Sequence, residues 1–217
     1  GVTASLILRR FTDKPALVLL GTLFFILSPV LIGRAYAHTA LTAHWLILLA
    51  IYFFIVFWQK DGSMKKQIIV WSLLLSTAVL IHPYFVPIVG VLFAISTIWQ
   101  YKSLRQSIAP LVIPPLSMFL VFGLIGGLSL GMKSVGGSGL GLYSYDLLSL
   151  ISPQGYSAFS NTIYNYPHWE GLAYLGLGTL LLIPVAWVMW LQNMKRSTLQ
   201  KLRSKAAPGI MVKVALM

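Results

Sequence analysis

Long apolar runs, separated by short polar connections rich in lysine and arginine, set the pattern of this chain. The runs fill 15–33, 40–58, 68–81, 84–99, 109–130 and 171–191. A helix needs about 20 apolar residues to cross a bilayer core, so these segments predict about six membrane-spanning helices, the third and fourth short. Between those two lies His82-Pro83, where the proline disfavours helix at His82 and predicts a turn. One long kinked helix is the competing reading, and charge separates the two. Lys60, Lys65 and Lys66 lie in the connection 59–67, Lys102 and Arg105 in 101–107, and Lys195, Arg196, Lys201, Arg203 and Lys205 in 192–205. With Arg9, Arg10 and Lys14 cytoplasmic, a hairpin at His82-Pro83 puts all three basic connections inside, as the positive-inside rule requires. A fused helix would put Lys102 and Arg105 outside. The hairpin is therefore expected. Residues 131–170 then form one long extracytoplasmic loop and 192–205 a basic cytoplasmic segment.

Composition strengthens this reading. Hydrophobic residues make up 58% of the chain and charged residues 9%, where a soluble domain carries about a quarter charged. The expected fold class is an all-α integral membrane protein, multi-pass, with the lipid bilayer as its surroundings. A net charge of +12 is accounted for by the basic connections, so no nucleic-acid partner is expected. The chain has no cysteine, which excludes disulfides, thiol catalysis and cysteine-bound zinc. Trp58, Trp71, Trp99, Tyr101, Trp187 and Trp190 fall near the expected inner interface, and Tyr36, Tyr84 and Tyr174 near the outer one, as aromatic belts do. Gly127 and Gly131 have the small-xxx-small spacing that lets helices approach closely. The chain opens on GVTASLIL before Arg9 and Arg10 and closes on APGIMVKVALM. Both ends read as parts of further apolar segments, so the expectation is an internal piece of a longer polytopic protein.

Candidate chemistry collects on the outer side. Two of the four acidic residues, Asp146 and Glu170, lie on the long loop, with His168 beside the second. Arg34 and His38 follow the first run, Thr42 and His44 open the second, and His82 and Tyr84 sit at the hairpin tip. Each has a plainer reading. Arg34 stands at a span end, where its long side chain can snorkel to the headgroups as well as bind phosphate. Glu170 and Asp146 each precede an expected helix, where the dipole favours an acid by about 0.3–1 kcal/mol. Either is a candidate for catalysis or for binding. His82 beside proline is a turn residue first. His38 and His44 fall on different helix faces, and no ligand-type spacing appears, so no metal site and no resident cofactor are expected. A divalent cation held with residues outside this chain stays open. The GGSGLG run at 136–141 lacks the lysine and Ser/Thr of a phosphate loop and reads as a turning loop.

Four stretches together carry a resemblance: LSPVLIGRAYAHTALTAHWLILLAIY (27–52), IHPYF (81–85), GLYSYDLLSLISPQGYSAFS (141–160) and WEGLAYLGLG (169–178). They resemble an uncharacterised family of bacterial multi-pass membrane proteins that is itself similar to GT-C-type glycosyltransferases. The resemblance implies a fragment of a larger GT-C-like polytopic fold in the bacterial inner (plasma) membrane. It implies an enzyme that takes a sugar from a polyprenyl-phosphate carrier for cell-envelope glycan or lipid modification. In such enzymes the main catalytic acid lies in the first outer loop, which this chain does not include, so neither Glu170 nor Asp146 inherits that role. On this reading Arg34, His38, His82, Tyr84 and His168 would bind donor phosphate or substrate. The alternatives are a multi-pass transporter or flippase of lipid-linked glycans, and a non-catalytic envelope-assembly protein.

Overall fold

A computed structural model of the chain describes residues 1–37, 39–59, 62–101, 103–128, 147–153, 155, 157–159, 161 and 173–194. The described residues are helical and hold no strand. By compactness the chain divides into two units, one built from 1–145 and 166–172, the other from 146–165 and 173–217.

The first unit holds α1 (Val2–Leu8), α2 (Pro15–Ile26), α3 (Pro29–Ala37), a 3-10 turn at Thr39–Thr42, α4 (His44–Trp58), α5 (Met64–Ile81), α6 (Phe85–Gln100) and α7 (Leu104–Leu124). Where the hydropathy expects one span over 15–33, the chain forms two helices bent by 45°. Pro29 is the reason. It opens α3, where its missing N–H costs nothing, but it bars helix at Ser28.

The chain reverses at His82–Pro83–Tyr84, because Trp71 and Phe93, equally far before and after His82, meet edge to face at 5.8 Å between ring centroids. Helices α4 and α6 run parallel. Their C-terminal residues Trp58 and Trp99 stack at 4.3 Å, and Ala43 and Phe85, at their starts, belong to one buried cluster. That cluster is the core of the bundle, with Leu46, Ala50, Phe57, Trp71, Leu74 and Val89 at its centre. Ser63 caps α5, its hydroxyl accepting from the Lys66 N–H at 3.3 Å.

Helix α7 packs chiefly on α5 and stays helical through Pro110, Pro114 and Pro115. Each proline removes one rung of the ladder, which a packed membrane bundle tolerates because neighbours satisfy the freed groups. Its end departs from the hydropathy, which runs on to residue 130. Gly126 has φ 81°, the Gly127 N–H donates to the Phe122 carbonyl at 2.9 Å and the Gly126 N–H to the Gly123 carbonyl at 3.0 Å. This pair of bonds is a Schellman cap, which closes a helix on a left-handed glycine. Gly127 therefore serves the helix end and not a helix–helix seam, while Gly131 lies outside the described residues.

The second unit has a 3-10 turn at Leu147–Leu150 and α8, Leu177–Met194. The expected span began at 171. Residues 173–176 are not helical, because the Leu175 N–H is taken by the Leu150 carbonyl at 3.1 Å and Gly176 turns with φ 87°. Exposed Leu181, Leu182, Ile183, Val185 and Trp187 occupy successive directions around α8. A helix apolar all round belongs in lipid or a core.

Among the described residues four helical segments are long and apolar enough to cross a membrane: Thr39–Trp58, Met64–Ile81, Arg105–Leu124 and Leu177–Met194. The bent pair α2–α3 makes a fifth. Helix α6 is apolar but shorter. The chain is an all-helical membrane protein.

Candidate functional site

The two ends of the first unit differ in chemistry. At one end the C-termini of α4 and α6 meet the starts of α5 and α7. Arg10 reaches this end from the α1–α2 connection, its Nη1 3.4 Å from Gln59 Oε1 and its guanidinium 5.4 Å from the Tyr52 ring centre. Exposed Lys65, Lys66 and Arg105 lie in the first turns of α5 and α7. This is the basic end.

The opposite end gathers the end of α3, the 3-10 turn, the starts of α4 and α6, and the α5–α6 turn. Five of the residues singled out from the sequence fall here: Arg34, Thr42, His44, His82 and Tyr84. Arg34 sits in the last turn of α3, half-buried, where the helix dipole favours a cation. A 3-10 turn follows at Thr39–Thr42, held by the Thr42 hydroxyl donating to the Thr39 carbonyl at 2.6 Å. His44, in the first turn of α4, feels the charge of Arg34. Asp13 is the one carboxylate side chain among the described residues, and it lies in the α1–α2 connection. No described carboxylate pairs with Arg34.

His82 and Tyr84 form the tip of the α5–α6 turn. The Tyr84 N–H donates to His82 Nδ1 at 3.3 Å, and the two rings meet edge to face at 4.7 Å. The bond needs the form of His82 whose Nδ1 carries no proton. Tyr84 is exposed and His82 half-buried. The structure thus joins His82 to Tyr84, at the end of the bundle that also holds Arg34 and His44. It shows no bond between the two pairs. His38, Asp146, His168 and Glu170 lie outside the described residues. Among the described residues no group of histidine, aspartate or glutamate side chains converges as metal ligands do.

Sequence reasoning rejected His38 and His44 only as a metal pair, and kept His44 among the polar residues of the outer side, where the structure places it at the start of α4. Another polar group was passed over. Gln67, Trp71, Ser96 and Thr97 are buried near the basic end. The signal was present in part, as polar residues one helical turn apart (Ser96 with Gln100, Thr97 with Tyr101) in otherwise apolar α6.

A family model described as a domain of unknown function (DUF6311) matches residues 1–217. No curated protein and no solved structure matches the chain.

Proposed function

This chain belongs to the DUF6311 family, and we propose that it is part of a GT-C-like glycosyltransferase of the bacterial inner membrane. Its donor would be a polyprenyl-phosphate sugar, and its product a modified envelope glycan or lipid. The observation that supports this best is Arg34, half-buried at the end of a broken span and without a described carboxylate partner. A guanidinium donates in a planar fork that matches phosphate, and a site at the membrane edge meets a lipid-borne phosphate directly. His82 and Tyr84, at the same end, offer further polar contacts.

In the transfer, a base takes the proton of an acceptor hydroxyl, whose oxygen forms the new bond to the anomeric carbon. The bond from that carbon to the phosphate oxygen breaks, and Arg34 stabilises the leaving phosphate. Asp146 and Glu170 would line the acceptor or sugar pocket, and His38 and His168 would bind donor phosphate or substrate with Arg34.

A second reading draws on the 45° break between α2 and α3, since broken helices line the substrate sites of many transporters. The two part in one assay. Full-length protein in proteoliposomes is supplied with radiolabelled polyprenyl-phosphate sugar. Transfer to an envelope acceptor supports the enzyme, and movement of intact donor between leaflets supports the flippase. Neither activity, with unchanged glycans in a deletion strain, would sink both. Arg34→Gln should raise KM for the donor about 10–100-fold, the loss of a charge-assisted bond worth about 1.5–3 kcal/mol.

A further inference from the structure

The seam between α5 and α6 holds a group of buried polar side-chain atoms with no hydrogen-bond partner in the protein. Its register is set by two contacts, Trp71 against Phe93 at 5.8 Å and the Tyr101 hydroxyl donating to Gln67 Oε1 at 2.6 Å. On α5, Gln67 and Trp71 are one turn apart and share a face. On α6, Phe93, Thr97 and Tyr101 do the same. Since Trp71 lies level with Phe93 and Gln67 with Tyr101, Thr97 falls level with the space between Gln67 and Trp71.

All three are completely buried, and Gln67 Nε2, Trp71 Nε1 and Thr97 Oγ1 have no hydrogen-bond partner. Ser96 Oγ and Gln100 Oε1, on the same stretch of α6, are orphaned as well. Of nine such atoms among the described residues, these five fall on two facing stretches of one helix hairpin, with Ser72 Oγ next to Trp71 as a sixth. Each would cost a few kcal/mol in an apolar medium.

The donor set identifies the guest. It offers the two amide hydrogens of Gln67, the indole N–H of Trp71, two hydroxyls that both donate and accept, and the Gln100 carbonyl. The buried polar side chains among the described residues are all neutral, so an ion would enter without a counter-charge, at a large desolvation cost. A neutral molecule with donors and acceptors fits, and water needs only two to four such partners. These atoms also lie one to two turns from the basic end, at the start of α5.

We infer that bound water occupies the α5–α6 seam, held by Gln67 Nε2, Trp71 Nε1 and Thr97 Oγ1, with Ser96 and Gln100 completing its bonds. The hairpin is wet near its basic end and dry toward His82. The rival arrangement is a turned Gln67 amide, its oxygen taking the Trp71 N–H directly.

The test is the full-length protein in lipid nanodiscs with [15N]tryptophan, the Trp71 indole signal being assigned by its loss in Trp71→Phe. A magnetisation-exchange cross-peak between that N–H and water is expected, and its loss in Gln67→Leu/Thr97→Val. The remaining tryptophan signals report that the variants fold. A Trp71 N–H with no contact to water, its shift moving in Gln67→Leu alone, would overturn the inference in favour of the direct bond. A water contact that survives the double substitution would overturn the assignment to these side chains.

Discussion

Removing one oxygen atom tests how the α5–α6 hairpin is held. The Tyr101 hydroxyl donates to Gln67 Oε1 at 2.6 Å, and Gln67 is completely buried. Tyr101→Phe keeps the ring and takes away the donor, leaving the amide oxygen without its partner. In a soluble protein an abandoned buried acceptor costs about 1–3 kcal/mol. In membrane proteins the average interhelical bond is worth about 0.6 kcal/mol, with a maximum near 1.7, because the unfolded helices also find partners. The bond here is short and its acceptor fully enclosed, so the upper part of that range applies and a loss of about 1 kcal/mol is expected. Gln67→Leu should cost less, because the half-buried Tyr101 hydroxyl can turn to water at the interface. The double variant should recover part of the Tyr101→Phe loss, giving a coupling of about 0.5–1 kcal/mol. The measurement is reversible unfolding of the four proteins by SDS in mixed micelles. A Tyr101→Phe effect under about 0.3 kcal/mol, or strict additivity in the double variant, would refute the reasoning.

Three more outcomes follow from the same bundle. Burial raises the Tyr101 phenol above its ordinary value of 10.0, so the folded protein holds that proton more tightly than the unfolded chain. The associated stability is full below about pH 10 and falls as pH rises through the folded value, and Tyr101→Phe should flatten that alkaline decline when unfolding is compared at about pH 9 and pH 11. Gly126→Ala forces a side chain onto φ 81° and should cost about 1–2 kcal/mol in the same unfolding assay, because the Schellman cap of α7 depends on that turn; an unchanged midpoint would refute the cap. Trp71→Ala empties a fully buried site between Phe57 and Phe93 and should cost about 3 kcal/mol. This is the low end for such a cavity, since lipid removes the water-transfer part of the penalty.

Several features were legible without coordinates, because they depend on the chain alone. Pro83 disfavours helix at His82, and the spacing of lysine and arginine sorts the ends of the spans. From these the helical membrane class and the α5–α6 reversal could be read. Pro29 carried the same kind of signal for the break between α2 and α3, but an unbroken apolar run hid it, since hydropathy averages over a window and a proline at a helix start is itself apolar. The three prolines of α7 mislead in the opposite direction. They would stop a helix in water, yet α7 runs through them while packed on α5.

What only the tertiary structure decided is who meets whom. Gln67 reaches Tyr101 because the hairpin register sets them level. Hydropathy reports that a side chain sits in an apolar segment. It does not report which neighbour faces it, and a polar atom in a membrane is satisfied or stranded by that neighbour alone. The sequence by itself determined where helices form and which end of the bundle is basic. Packing decided where the polar atoms among them are left without partners.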